Sequence, residues 1–97
     1  MVKVNWTDLS LQDIDNIAIF IAKDSPNYST LFVSKIFEKA KLLENFPKMG
    51  RIVPEIKNDL IRELVYRIVY KLYENHLDIL TVHHSARLLS NSSLFDN

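Results

Sequence analysis

The chain has 97 residues, twelve basic and twelve acidic side chains, and no cysteine. The length predicts one domain, residues 1–97, with a single thin core. A composition of 47% hydrophobic and 25% charged residues is typical of a soluble globular protein and does not indicate disorder. Zero net charge removes the simplest argument for nucleic-acid binding, and the lack of cysteine excludes disulfides and thiolate metal sites. With no apolar run long enough to span a membrane and no signal peptide, we expect a cytoplasmic protein.

The chain opens with a predicted strand and a first helix. Val2, Val4 and Trp6 alternate with polar residues, which is typical of a short strand with one apolar face. Thr7 or Asp8 can cap the helix that follows. Its apolar residues recur at intervals of three and four, as in an amphipathic helix: Leu11, Ile14, Ile17, Ala18 and Ile21.

Ser25 and Pro26 predict the start of a second helix, because serine is a good N-cap and proline suits the first helical position. This helix is expected to run to about Asn45, with one apolar stripe: Phe32, Ile36, Ala40 and Leu43. Two helices joined by so short a break are expected to pack as an antiparallel hairpin.

The second half of the chain predicts a sheet. Residues 46–59 hold the only glycine and two of the three prolines, which indicates a loop. Alternating apolar residues then predict strands at 60–64, 66–73 and 77–82. The fold class is therefore α+β, with a short N-terminal strand, an antiparallel two-helix hairpin on one face, and a three-stranded antiparallel β-meander. Residues 90–97 are expected to form a frayed tail.

Five short motifs follow one another in this half: Pro47, Gly50 with Arg51, Arg62-Glu63-Leu64, residues 66–70, and His84 with Arg87. In order and spacing they resemble the RelE/ParE superfamily of toxins from bacterial type II toxin–antitoxin systems, and the opening strand and helices match as well. One departure is Asn58 with Asp59, where many members carry a glycine.

The resemblance implies a cognate antitoxin, whose extended C-terminal segment wraps and neutralises the toxin. It also implies one of two targets. RelE-like members cut messenger RNA in the ribosomal A site, whereas ParE-like members inhibit DNA gyrase without being nucleases. A third alternative is a degenerate relative that is not toxic.

If the chain is a ribonuclease, its catalytic residues are Arg67, His84 and Arg87, expected together at one end of the sheet. Arginines would stabilise charge on the transferring phosphoryl group, and the resemblance implies this contact for Arg67. His84 could carry a proton, with Glu63 as its general-base partner. The alternative for Arg67 is a structural ion pair with Glu63 or Glu74. ParE-like members also carry the His-x-x-Arg motif, so it marks the family without proving catalysis.

All four arginines lie in the second half of the chain, and arginine suits planar contact with carboxylate or phosphate. Arg51 and Arg62 are therefore candidate contacts to the target or to phosphate, although for Arg62 we favour a solvated edge charge. Val69 and Leu80 are expected to be exposed apolar residues on the second sheet face, where an antitoxin helix or strand would bind.

Two observations favour the gyrase-type branch. RelE-like nucleases usually carry a tyrosine after the last strand and a cluster of lysines before the middle strands. Here the final segment has no tyrosine, and only Lys57 stands close before Arg62. We expect no cofactor and no metal, because His83 and His84 are adjacent on a strand and would point to opposite faces.

Overall fold

The computed structural model describes residues 1–64 and 67–83. The elements in chain order are β1 (Lys3–Trp6), α1 (Asp8–Ala22), α2 (Pro26–Lys41), a 3₁₀ turn (Leu42–Glu44), β2 (Arg51–Ile52), β3 (Ile61–Leu64), β4 (Ile68–Leu72) and β5 (His76–Val82). The predicted α+β class, with two helices before the main strands, is confirmed. None of the helices in these ranges is long and apolar enough to cross a membrane.

Both helices begin at the residues that the sequence predicted. The hydroxyl of Thr7 accepts a hydrogen bond from the Ser10 N–H at 3.2 Å, and the hydroxyl of Ser25 accepts one from the Tyr28 N–H at 3.2 Å. Each bond satisfies a backbone donor of the first turn that has no partner within the helix. Pro26 occupies the first position of α2.

The helices pack against each other as a hairpin. The Ser29 hydroxyl on α2 donates to the carbonyl of Ala18 on α1 at 2.6 Å, which lets the two backbones approach closely. The α-helical part of α2 ends at Lys41, and the 3₁₀ turn continues to Glu44, close to the predicted end at Asn45.

The sheet has the strand order β1-β5-β4-β3-β2 and is mixed. The pairs among β2, β3, β4 and β5 are antiparallel, as the predicted meander requires. The first strand lies parallel to the last, with Lys3 opposite His76 and Trp6 opposite Ile79. The short strand β2 forms within the segment that the sequence predicted as a loop.

The predicted strand at 66–73 begins later in the structure, at Ile68. Arg67 lies in the turn between β3 and β4 with φ of 60°, and its N–H donates to the Leu64 carbonyl at 3.0 Å. The alternation of apolar residues continues through this turn, so the pattern alone did not mark it. Tyr66 lies outside the described residues.

The two faces of the sheet are covered in different ways. Both helices pack on the first face, over a core that includes Ile36, Leu43, Tyr70, Leu77 and Ile79. On the second face the segment after β2 folds back over the strands and forms a smaller cluster of Val53, Ile56, Ile61 and Val69.

The expected exposure of the second face is therefore wrong at Val69. Val69 is completely buried, because Val53 and Ile56, which the sequence placed in a loop, supply an intramolecular cover. Leu80 is partly exposed.

The first helix is also joined to the end of the last strand. The carboxylate of Asp13 accepts hydrogen bonds from the Thr81 hydroxyl and, at 3.2 Å, from the Val82 N–H. These bonds fix the C-terminal end of β5, just before His83.

Candidate functional site

A buried tyrosine and an arginine hold the segment 47–50 against the sheet. The Tyr70 hydroxyl on β4 donates to the Pro47 carbonyl at 2.8 Å and accepts from the Gly50 N–H at 3.0 Å. From β3, Arg62 Nη1 donates to the carbonyls of Lys48 at 3.2 Å and Gly50 at 2.9 Å. The segment thus has fixed partners on both strands, and we call residues 47–50 the anchored loop.

Only glycine fits at position 50. A Cβ atom there would lie 2.7 Å from the Tyr70 hydroxyl oxygen and 2.9 Å from the carbonyl oxygen of Glu63. The second of these is a backbone atom, so the clash could not be relieved by rotating a side chain. Gly50 is therefore required for the close approach of the anchored loop to β3 and β4.

Burial raises the pKa of the Tyr70 hydroxyl above its ordinary value of 10.0, and the Gly50 N–H and the positive charge of Arg62 oppose this only in part. The hydroxyl therefore stays protonated at neutral pH, which its hydrogen bond to the Pro47 carbonyl requires.

Directly after the anchored loop, two arginines flank one buried carboxylate. Arg51 on β2 lies opposite Glu63 on β3, and its Nε and Nη2 donate to Glu63 Oε1 at 3.0 and 2.8 Å. Arg67 Nε lies 3.3 Å from the other carboxylate oxygen, Oε2. Glu63 is only 5% exposed. The side chains of Arg51 and Arg67 are 54% and 25% exposed. We call these three residues the Glu63 cluster.

Some of the predicted site residues belong to this cluster and others do not. Arg67 is paired with Glu63, which is the structural alternative that the sequence left open. Arg62 is neither in this cluster nor a solvated edge charge, since its guanidinium is half-buried against the anchored loop. The prediction of a solvated edge charge was wrong because Lys48 and Gly50, which stand 14 and 12 positions earlier in the chain, accept hydrogen bonds from Arg62.

His84 and Arg87 lie outside the described residues, so their convergence with Arg67 stays a prediction. The preceding residue, His83, is buried, and its N–H donates to the Arg67 carbonyl at 3.1 Å. The backbone at the end of β5 is therefore adjacent to the turn that carries Arg67.

An apolar cavity of about 510 Å³ lies next to the anchored loop, which contributes Pro47 and Lys48 to its wall. Its lining residues are Val2, Pro47, Lys48, Leu60, Leu72, Tyr73 and Glu74, none of which belongs to the Glu63 cluster. Among the side chains of the described ranges, no three histidine, aspartate or glutamate residues are arranged to hold a metal ion.

Sequence reasoning missed two parts of this arrangement. It did not pair Arg51 with Glu63, although opposite charges in neighbouring motifs are a usable signal for cross-strand contact. It also did not identify Tyr70 as the residue that holds the anchored loop, because a tyrosine in an apolar strand is typical of core packing.

Comparisons with known proteins find a matching family model and similar toxins. Residues 4–89 match the family model described as the ParE toxin of the type II toxin–antitoxin system parDE. Y4kP of Sinorhizobium fredii is 27% identical over 85 residues, which cover 86% of this chain and 88% of Y4kP. Toxin RelE2 of Caulobacter vibrioides is 27% identical over 88 residues, 91% of this chain and 100% of RelE2.

A solved structure shows the same fold. A chain of the chromosomal ParDE TA system from P. aeruginosa superposes with a TM-score of 0.70 at 20% identity, covering 87% of this chain and 96% of that one. At this identity the likeness concerns the fold alone. The match to the family model spans nearly all of the sequence, and the chain therefore belongs to the ParE toxin family of type II toxin–antitoxin systems.

Proposed function

We propose that this toxin is of the plasmid-stabilisation type, acts in the cytoplasm by binding and inhibiting DNA gyrase, and is neutralised by a cognate antitoxin. The family model, which describes the ParE toxin of parDE, supports the ParE-like branch over most of the chain.

The observation that carries the proposal is that Glu63, the candidate general base, and Arg67 contact other residues of the fold. A general base must offer an oxygen lone pair to the proton that it removes. Glu63 is buried, and its Oε1 already accepts two hydrogen bonds from Arg51. Its other oxygen, Oε2, is shielded from solvent and lies 3.3 Å from Arg67 Nε. Arg62 is bound to backbone carbonyls. This arrangement favours a binding surface over an acid–base site, and the lack of tyrosine after residue 83 agrees with it.

A supercoiling assay tests the gyrase target. Purified toxin added to gyrase and relaxed plasmid is expected to reduce supercoiling in proportion to its concentration, and equimolar antitoxin is expected to restore it. Heat-unfolded toxin is the control. Full supercoiling at a toxin concentration that arrests growth would remove gyrase as the target.

A second candidate is a ribosome-dependent messenger RNA endonuclease, with Arg67 and Arg87 on the phosphate and His84 as acid or base. The similarity to a relative named RelE2 supports this alternative. It predicts cleavage in the ribosomal A site that Arg67→Ala abolishes together with growth arrest. Growth arrest by the Arg67→Ala variant without mapped cleavage would exclude it.

The third candidate, a degenerate relative that keeps the fold and the antitoxin-binding surface, predicts no growth defect when the chain is expressed without its antitoxin. Growth arrest under those conditions excludes this candidate and leaves the first two.

A further inference from the structure

We propose that Glu63 is a positioning residue, which holds Arg51 and Arg67 side by side as a cationic surface that binds a carboxylate-bearing segment of the antitoxin. The proposal rests on the proposed function in one respect, namely that an antitoxin binds this chain.

The geometry of the Glu63 cluster is the first argument. A guanidinium carries five N–H donors in a planar fork that matches a carboxylate. Arg51 directs its Nε and Nη2 at Glu63, and with a side chain that is 54% exposed it has donors left for a partner. Both guanidiniums contact the same carboxylate, so Glu63 holds the two arginines close together.

The backbone of Arg67 is the second argument. Its φ of 60° lies in the left-handed region, where glycine and asparagine are favoured and a long side chain is strained. A strained position that keeps a bulky residue points to a use of that side chain. Here the guanidinium reaches Glu63 and remains partly exposed.

The rigidity of the support is the third argument. Arg51 follows the anchored loop, which Tyr70 and Arg62 fix through hydrogen bonds to Pro47, Lys48 and Gly50. A side chain held at both its backbone and its guanidinium loses little conformational entropy when a partner binds.

The surroundings favour a protein partner over a nucleic acid. Met49 and Ile52, which are close to Arg51 in sequence, are 48% and 44% exposed. A peptide can supply acidic and apolar side chains together, whereas a phosphate backbone needs a broad field of cations, which a chain of zero net charge does not supply.

The test compares variants of the full chain for binding to the antitoxin encoded by the adjacent reading frame, at low and moderate salt. Arg51→Ala and Arg67→Gly are each expected to weaken binding by about tenfold or more and to reduce its salt dependence, as the loss of a charged hydrogen bond does. Glycine is chosen at position 67 because it adopts the positive φ of this turn without strain. Lys35→Ala, which removes one exposed positive charge on α2, is the control and is expected to change affinity by less than about twofold.

Glu63→Gln separates positioning from simple electrostatics. Removing a negative charge beside an acidic partner should tighten binding if Glu63 acts only through its charge. If Glu63 positions the arginines, the same variant should weaken binding, with thermal unfolding confirming that it is folded. Unchanged or tighter binding by Glu63→Gln would overturn the positioning role.

Three further outcomes are decisive. If Arg51→Ala and Arg67→Gly bind the antitoxin like the unmodified chain, the surface is not used and the inference fails, while the proposed function stands. If these variants instead weaken binding only to a short DNA duplex, the partner class is wrong. If the unmodified chain binds no antitoxin, the proposed function itself fails.

Discussion

Tyr70 joins β4 to the anchored loop through two hydrogen bonds of its hydroxyl. Tyr70→Phe keeps the ring but leaves the buried Gly50 N–H without this acceptor. We expect the free energy of unfolding to fall by roughly 1–3 kcal/mol, the usual result of leaving a buried donor unsatisfied. Urea unfolding followed by circular dichroism measures it.

The matched control for this substitution is Tyr28→Phe, which removes an exposed hydroxyl and is expected to change stability by less than about 0.5 kcal/mol. Equal losses in the two variants would show that the Tyr70 hydroxyl contributes nothing specific.

The raised pKa of Tyr70 predicts a pH dependence at the alkaline end. In the unfolded chain this hydroxyl ionises near 10.0, whereas in the folded chain it retains its proton to higher pH. Above about pH 10 the unfolded state binds fewer protons, so the stability from this group is complete below that pH and is lost as the pH rises. Tyr70→Phe lacks the effect. The stability gap between the two chains should therefore narrow above pH 10, and a gap that widens would contradict the assignment.

The sequence motifs contain the residues of the anchored loop and the Glu63 cluster, but of their contacts only the ion pair of Arg67 with Glu63 was considered from the sequence. Pro47, Gly50, Arg51, Arg62 and Glu63 were all singled out from the sequence. Apart from Arg67 beside Glu63, four positions away, their partners lie 12 to 23 positions away, for example Gly50 from Arg62 and Pro47 from Tyr70. Spacing of this kind is set by how the strands pair, and no local pattern encodes it.

Among the elements, α1 and β5 are joined by Asp13. Asp13→Ala removes the acceptor for the Thr81 hydroxyl and the Val82 N–H, and we expect a loss of roughly 1–3 kcal/mol. A double-mutant cycle with Thr81→Val should give a coupling of about 0.5–3 kcal/mol, because both residues belong to one contact.

Asp15→Ala, on an exposed position of the same helix, is the control for the loss of negative charge. Additive effects of Asp13→Ala and Thr81→Val would mean that the two side chains do not stabilise the protein together.

The helices could be predicted almost to the residue, because their signals are local. The hydroxyls of Thr7 and Ser25 cap the first turns at the predicted places. The turn at Arg67 could not be predicted, since its left-handed backbone carries none of the usual turn residues. The cover that buries Val69 was also missed, because Val53 and Ile56 stand in a segment rich in proline and charge.

At the scale of the whole molecule, the sheet depends on its first strand. Val4 on β1 is partly buried and packs against the main core, whereas Lys3 is exposed. Val4→Asp would bring a carboxylate to the core and is expected to lower stability by about 1–3 kcal/mol. Lys3→Asp is expected to change it by less than about 0.5 kcal/mol. Thermal unfolding of both variants measures the difference, and equal effects would show that β1 is not integral to the core.

The overall topology was only partly accessible from the sequence. The strands β3, β4 and β5 are close in sequence. Their alternating apolar residues and the short breaks between them predicted the antiparallel meander. The parallel pairing of β1 with β5 joins positions 73 residues apart, such as Lys3 and His76, and nothing in either short segment specifies the other. Parallel pairing requires a crossover connection, which here contains both helices and the strands β2, β3 and β4.

The parallel pairing of β1 with β5 also affects how the chain folds during its synthesis. In the strand order, β5 is the neighbour of β1, so β1 leaves the ribosome well before the strand with which it pairs. Until residues 76–82 have emerged, β1 has no strand to pair with and the apolar face of the helical hairpin lacks much of its cover. β1 can therefore join the sheet only after residues 76–82 have emerged, whereas the antiparallel pairing of β2 with β3 and of β3 with β4 can begin earlier.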